Sequence, residues 1–143
     1  MESPRVANDE GEVVNGSLKK ASFLIFTQGL RRDFSGTMYE HRSDDAYLGG
    51  GQLGVITVVK SRVTWRDFFL TLPFSLTETC LTTGLGQQYC DGDGGSLTFV
   101  LNGVETPTVL DRVIREGDRL LVTFGNAGEG EIMSQMEQVP NPR

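Results

Sequence analysis

Apolar and polar positions alternate with a strand period through most of the chain and switch to a helical period once. Residues 21–27, Ala-Ser-Phe-Leu-Ile-Phe-Thr, read as a first strand. Gly29 turns it, and residues 30–34 return as a hairpin partner. Residues 54–59 are β-branched and read as a buried strand. In residues 96–101, Leu97, Phe99 and Leu101 fall on one face; in residues 119–125, Leu120, Val122 and Phe124 do the same. Asn102-Gly103 is a strong turn pair, Glu116-Gly117-Asp118 a second turn, and 109–114 a short apolar crossover of about one helical turn.

The helical period lies at 64–72. Thr64 and Asp67 form a variant capping box, and Trp65, Phe68, Phe69 and Leu72 follow at i, i+3, i+4 and i+7. Pro73 ends the segment. So short a helix depends on the packing of that stripe rather than on propensity. A hairpin then runs from Cys80 to Cys90 around Gly84 and Gly86, setting the two cysteines opposite each other, where a bridge needs only a small adjustment. Two readings stay open, a disulfide or two unpaired buried thiols, and the hairpin favours the first.

Residues 35–53 read as a long loop, functional or mobile. Residues 1–18 read as a flexible N-terminal arm. Residues 126–143, with Pro140 and Pro142, read as a polar C-terminal tail. The expectation is one domain, 19–125, of the α+β class: a mixed sheet with one short helix packed on it.

Composition sharpens this picture. Eighteen of 143 residues are glycine, well above the usual ~7%, which multiplies turns and shortens strands. The net charge is -6, with little to build the basic face that nucleic acid needs. No run of ~18 apolar residues spans a membrane. The polar, acidic start has no apolar core of a secretory signal, so the expectation is a protein that stays inside or one numbered after a removed leader.

The candidate chemistry is thin. Gly49-Gly50-Gly51-Gln52-Leu53-Gly54 matches a dinucleotide pattern but leads into a strand rather than a helix. Asp91-Gly92-Asp93-Gly94-Gly95 resembles a calcium loop without its later ligands, leaving Asp91 and Asp93 as a weak cation site or a plain turn. His41 is the only histidine, and two cysteines with one histidine fall short of a zinc set. No Gly-x-Ser-x-Gly elbow is present, and Asn15-Gly16-Ser17 is too common a pattern to carry weight.

Phe99 through Asn102-Gly103, the crossover, and Gly117-Asp118-Arg119 leading into the last strand resemble the end of the β-grasp, or ubiquitin-like, fold. Sulfur carriers of that fold end in Gly-Gly, whereas this chain ends Pro140-Asn-Pro-Arg143. From Phe23 to Gly125 the chain also resembles a group of archaeal and bacterial proteins of unassigned activity, often membrane-tethered. The resemblance rests on Val55-Ile56, Val63-Thr64, Phe68-Phe69, Phe74-Ser-Leu-Thr77, Cys80 and Tyr89-Cys90. That group carries paired histidines where Tyr47, Gly49, Thr57 and Val59 stand here, so any metal they hold is not expected in this chain. The resemblance supports the fold and the bridge and implies no activity.

The expected function is therefore a non-enzymatic interaction module. It would be an accessory subunit or extracytoplasmic domain of a membrane-associated assembly, with a protein partner and no cofactor. The alternative is a small-ligand or cation-binding domain using the glycine-rich loops.

Overall fold

The structure is a computed structural model that describes residues 18–34, 37–40, 42–48 and 54–142. It is α+β, with a mixed seven-stranded sheet and a separate three-stranded sheet among the described residues. The central strands are β1 (Lys19–Thr27) and β10 (Arg119–Gly125), paired in parallel with Phe23 beside Leu120 and Ile25 beside Val122. Antiparallel neighbours flank this pair. On one side β4 (Val55–Val58) meets the first half of β1, and β3 (Ala46–Leu48) adds to its outer edge. On the other, β8 (Ser96–Leu101) pairs β10, and β9 (Val104–Glu105) closes a hairpin onto β8.

The turns follow their residues. Asn102 and Gly103 both adopt positive φ, the geometry a two-residue hairpin turn requires. Gln28 and Gly29 do the same between β1 and β2 (Leu30–Arg31), so the expected return strand 30–34 is cut to two residues. Gly54, at φ 75°, brings its backbone so close to β1 that a Cβ there would lie 2.5 Å from the Phe23 carbonyl oxygen.

Period-two alternation gives the large sheet two faces. One carries Phe23, Ile25, Ile56, Leu97, Phe99, Leu120, Val122 and Phe124, and α1 (Trp65–Phe69) packs there. The capping box forms: Thr64 Oγ1 accepts from the Asp67 N–H at 3.0 Å, and the Asp67 carboxylate accepts from the Thr64 N–H at 3.1 Å. Trp65, Phe68, Phe69 and Leu72 are all buried, as the stripe requires. The α-helix is shorter than the expected 64–72, because it relaxes into tight turns after Phe69 and before Pro73. The crossover holds a 3₁₀ turn, Val109–Asp111, whose Val109 and Leu110 join the same core.

The second face corrects the expectation of a polar tail. Residues 126–143 contain a second helix, α2 (Glu129–Gln138), so the large sheet is covered on both sides. Met136 and Val139 are buried against Leu24, Phe26, Val100 and Leu121, with Ile132 packed beside them. Arg119 holds the Val139 carbonyl, and Ser22 Oγ donates to the Pro140 carbonyl at 2.6 Å. Burial of this thin apolar stripe, aided by Glu129 and Glu131 in the first turn, outweighs the polar composition. The long loop 35–53 is likewise part structure: a 3₁₀ turn at Thr37–Tyr39 and strand β3, whose Ala46 and Leu48 are buried. Residues 1–17 of the expected arm, with the Asn15-Gly16-Ser17 pattern, lie outside the described residues.

Candidate functional site

Three very short strands form the small sheet: β5 (Ser75–Leu76), β6 (Cys80–Thr82) and β7 (Gln88–Cys90), in that order. Cys80 and Cys90 are directly opposed in the β6–β7 register and are joined by a disulfide, with Cα atoms 4.0 Å apart. The Asp91 N–H donates to the Thr79 carbonyl and the Thr83 N–H to the Gln87 carbonyl, each at 2.8 Å. By alternation the cysteines therefore occupy a non-hydrogen-bonded pair, where side chains approach most closely. The bridge thus staples the base of the hairpin. At the tip stands Leu85, 94% exposed, between Gly84 and Gly86.

Beside this hairpin lies a cleft of about 290 Å³ lined by Arg32, Phe34, Tyr39, Phe74, Leu81 and Thr83 among others. Its floor is aromatic. Phe34 meets Tyr39 edge-on at 5.1 Å between ring centroids and Phe74 at 5.3 Å, and it touches the main core through Phe23 at 5.5 Å. Aromatic pairs in such tilted and edge arrangements add to simple burial and hold the rings in place. One wall is polar and fixed. The Arg32 guanidinium donates to Tyr89 Oη at 2.7 Å and to Thr27 Oγ1 at 2.9 Å, and sits 5.3 Å from the centre of the Tyr89 ring. Tyr89 in turn packs on Phe124 of β10. Arg32 and Tyr89 are thus the main polar link between the small sheet and the large one.

A second link is ionic. Arg66 on α1 pairs with Glu78, which precedes β6, and with Asp111 in the crossover at 3.0 Å. Hydrogen bonding to Glu78 and then to Asp111 raises the Arg66 pKa above its ordinary value. The pair is solvent-exposed, so it contributes little to stability.

The other candidate residues fall elsewhere. The Asp91 carboxylate accepts from the Leu97 N–H at 2.6 Å, while the Asp93 N–H donates to Cys90 and the Gly92 N–H to Gly95. Asp91 and Asp93 thus shape the turn that joins β7 to β8. Gly94 also borders a recess of about 380 Å³ with Gly29, Gly125, Asn126 and Glu131. Tyr47 and Thr57 are opposite each other in the β3–β4 register, in the large sheet rather than the small one. His41 and the glycine run 49–53 lie outside the described residues. Among the described residues, no group of three or more His, Cys, Asp or Glu is gathered for a metal ion. None of their helices is long and apolar enough to cross a membrane.

Sequence reasoning found the staple but missed the cleft. Its aromatics are scattered at 34, 39 and 74, outside any periodic stripe, and only folding collects them. The available signal was the isolation itself: Phe34, Tyr39 and Phe74 stand in segments with no other reason to carry large rings. No described protein family, curated protein or solved structure matches this chain.

Proposed function

We propose that this chain is a β-grasp-like, non-enzymatic interaction module that engages a protein partner through the stapled hairpin and the aromatic cleft beside it. The observation that carries the reading is Leu85. It stands almost wholly in water on a covalently fixed tip, next to an aromatic cleft. An apolar side chain on a fixed tip beside an aromatic cleft gives a partner an anchor to bury and a pocket to fill.

The β-grasp reading draws support from the sheet. The parallel β1–β10 pair is flanked by antiparallel β4 and β8, with α1 crossing one face between them in sequence. The helix α2 and the small sheet are additions to that plan. The disulfide favours an oxidising, extracytoplasmic setting, in keeping with the resemblance to membrane-tethered proteins and a role as accessory subunit of a membrane-associated assembly.

The test is chemical cross-linking of the full chain in its native source, followed by mass spectrometry, for the wild type and for Leu85→Asp. A protein cross-linked near residues 80–90 that disappears in the folded variant supports the reading. Cross-links that are unchanged in Leu85→Asp overturn it. A bound small molecule seen in native mass spectrometry, held by the recess at Gly94 and Glu131, would favour a ligand-binding domain instead.

A further inference from the structure

We propose that the Cys80–Cys90 bond is a redox latch on the aromatic cleft: reduction opens the small sheet locally and leaves the seven-stranded sheet folded. In its functional consequence this rests on the cleft being the binding surface; in its structural content it stands alone.

The strands of the small sheet run two or three residues each, too few for an isolated hairpin to persist in water. Its buried apolar side chains are Leu76 and Leu81, with Tyr89 only half-buried. Between Cys80 and the tip, cross-strand hydrogen bonding reduces to the Leu81–Tyr89 pair and the Thr83–Gln87 contact. The covalent bond is therefore the strongest constraint on the hairpin. Both cysteines are half-buried, and their chain neighbours Thr79 and Asp91 are exposed, so a reductant has access.

Opening has direct consequences for the cleft. Leu81, Thr83 and Gly84 form its hairpin side and would leave together. Tyr89 would leave with them, releasing the Arg32 guanidinium from both the phenol oxygen and the ring. Leu76 and Leu81 reach into the core under α1, but the large sheet also buries Phe23, Ile25, Phe99 and Val122 there and a separate set against α2, so most of its burial does not depend on the staple.

The chemistry is thiol–disulfide exchange with a dithiol reductant. Its thiolate attacks one cysteine sulfur, the S–S bond breaks, and a mixed disulfide forms. The second thiolate of the reductant displaces the remaining cysteine sulfur. Cys80 and Cys90 gain two electrons and two protons to become thiols, and the dithiol is oxidised to its own disulfide.

Amide hydrogen exchange on the full chain tests the latch, comparing the oxidised protein, the protein reduced by a dithiol, and the double variant Cys80→Ala, Cys90→Ala. Releasing a closed loop of this length should lower protection at Leu81, Thr83 and Tyr89 about 100-fold. Protection at Leu24, Ile25 and Val122 should stay within about threefold, as expected for a separate cooperative unit. Trp65, the only tryptophan and fully buried on α1, should keep its emission unchanged. Uniform loss of protection across both sheets overturns the proposal, as does unchanged protection of the hairpin. Should the double variant fail to fold, the reduced wild-type chain decides alone. A hairpin that loosens while cross-linking ignores Leu85 would leave the latch standing and remove the proposed function; the reverse result would remove only the latch.

Discussion

Strands β1, β10 and β8 run side by side over long registers, from Ser22 beside Arg119 to Thr27 beside Phe124 and on to Gly125 beside Ser96. Strands β5, β6 and β7 pair over two or three residues. The large sheet buries an apolar face under α1 and a second under α2. The small sheet buries only Leu76 and Leu81 in that first face, and beyond them it has one covalent bond, the contact of Tyr89 with Phe124, and the polar reach of Arg32 and Arg66. The first is therefore held by burial, which is distributed over many side chains. The second is held by two buried leucines and a few specific links that can be removed singly.

The comparison can be broken from the side of the large sheet. Phe68 is fully buried and meets Phe23 and Phe69. Phe68→Ala should cost about 3–5 kcal/mol in urea unfolding, the range for a buried phenylalanine. A loss below ~1 kcal/mol would mean the α1 face carries little of the stability. Removing the staple comes next. It should free the hairpin by about 3 kcal/mol while the urea midpoint of the large sheet moves less than in Phe68→Ala. Met136→Ala tests whether α2 is integral: a buried methionine on the second face should cost about 2 kcal/mol by the same denaturation. If the midpoint does not move, residues 126–143 behave as the polar tail their composition suggests. Thr64→Ala removes the cap of α1 and should cost about 1 kcal/mol, read as a fall in melting temperature. Leu85→Asp sits at the bottom of the scale. Its side chain touches mostly water, so stability should stay within about 0.5 kcal/mol. A larger drop would show that the tip leucine supports the fold rather than a partner.

Several elements were legible because their signals are local. Thr64 and Asp67 sit three apart, so each reaches the other's backbone whatever else the chain does. The alternation in Ser96–Leu101 and Arg119–Gly125 names both strands to the residue. Cys80 faces Cys90 because the hairpin between them is short and glycine turns it. Strand β3 was hidden: three residues cannot show a period, and it exists only because β4 offers an edge. Helix α2 was diluted. Ile132, Met136 and Val139 do fall at helical spacing, but polar residues surround them and nothing local shows that a second sheet face stands open.

The sequence by itself thus determined the α+β class, the main strands, the capped helix with its aromatic stripe, and the opposed cysteines. Each follows from period, turn chemistry or loop length, which act within a dozen residues. The tertiary structure alone decided that β1 and β10 lie in parallel, that the C-terminal segment closes the second face, and that Phe34, Tyr39, Phe74 and Leu81 meet as one cleft. These are contacts between distant segments, selected by the apolar area they remove from water, and no local pattern encodes which distant surface will be there to receive them.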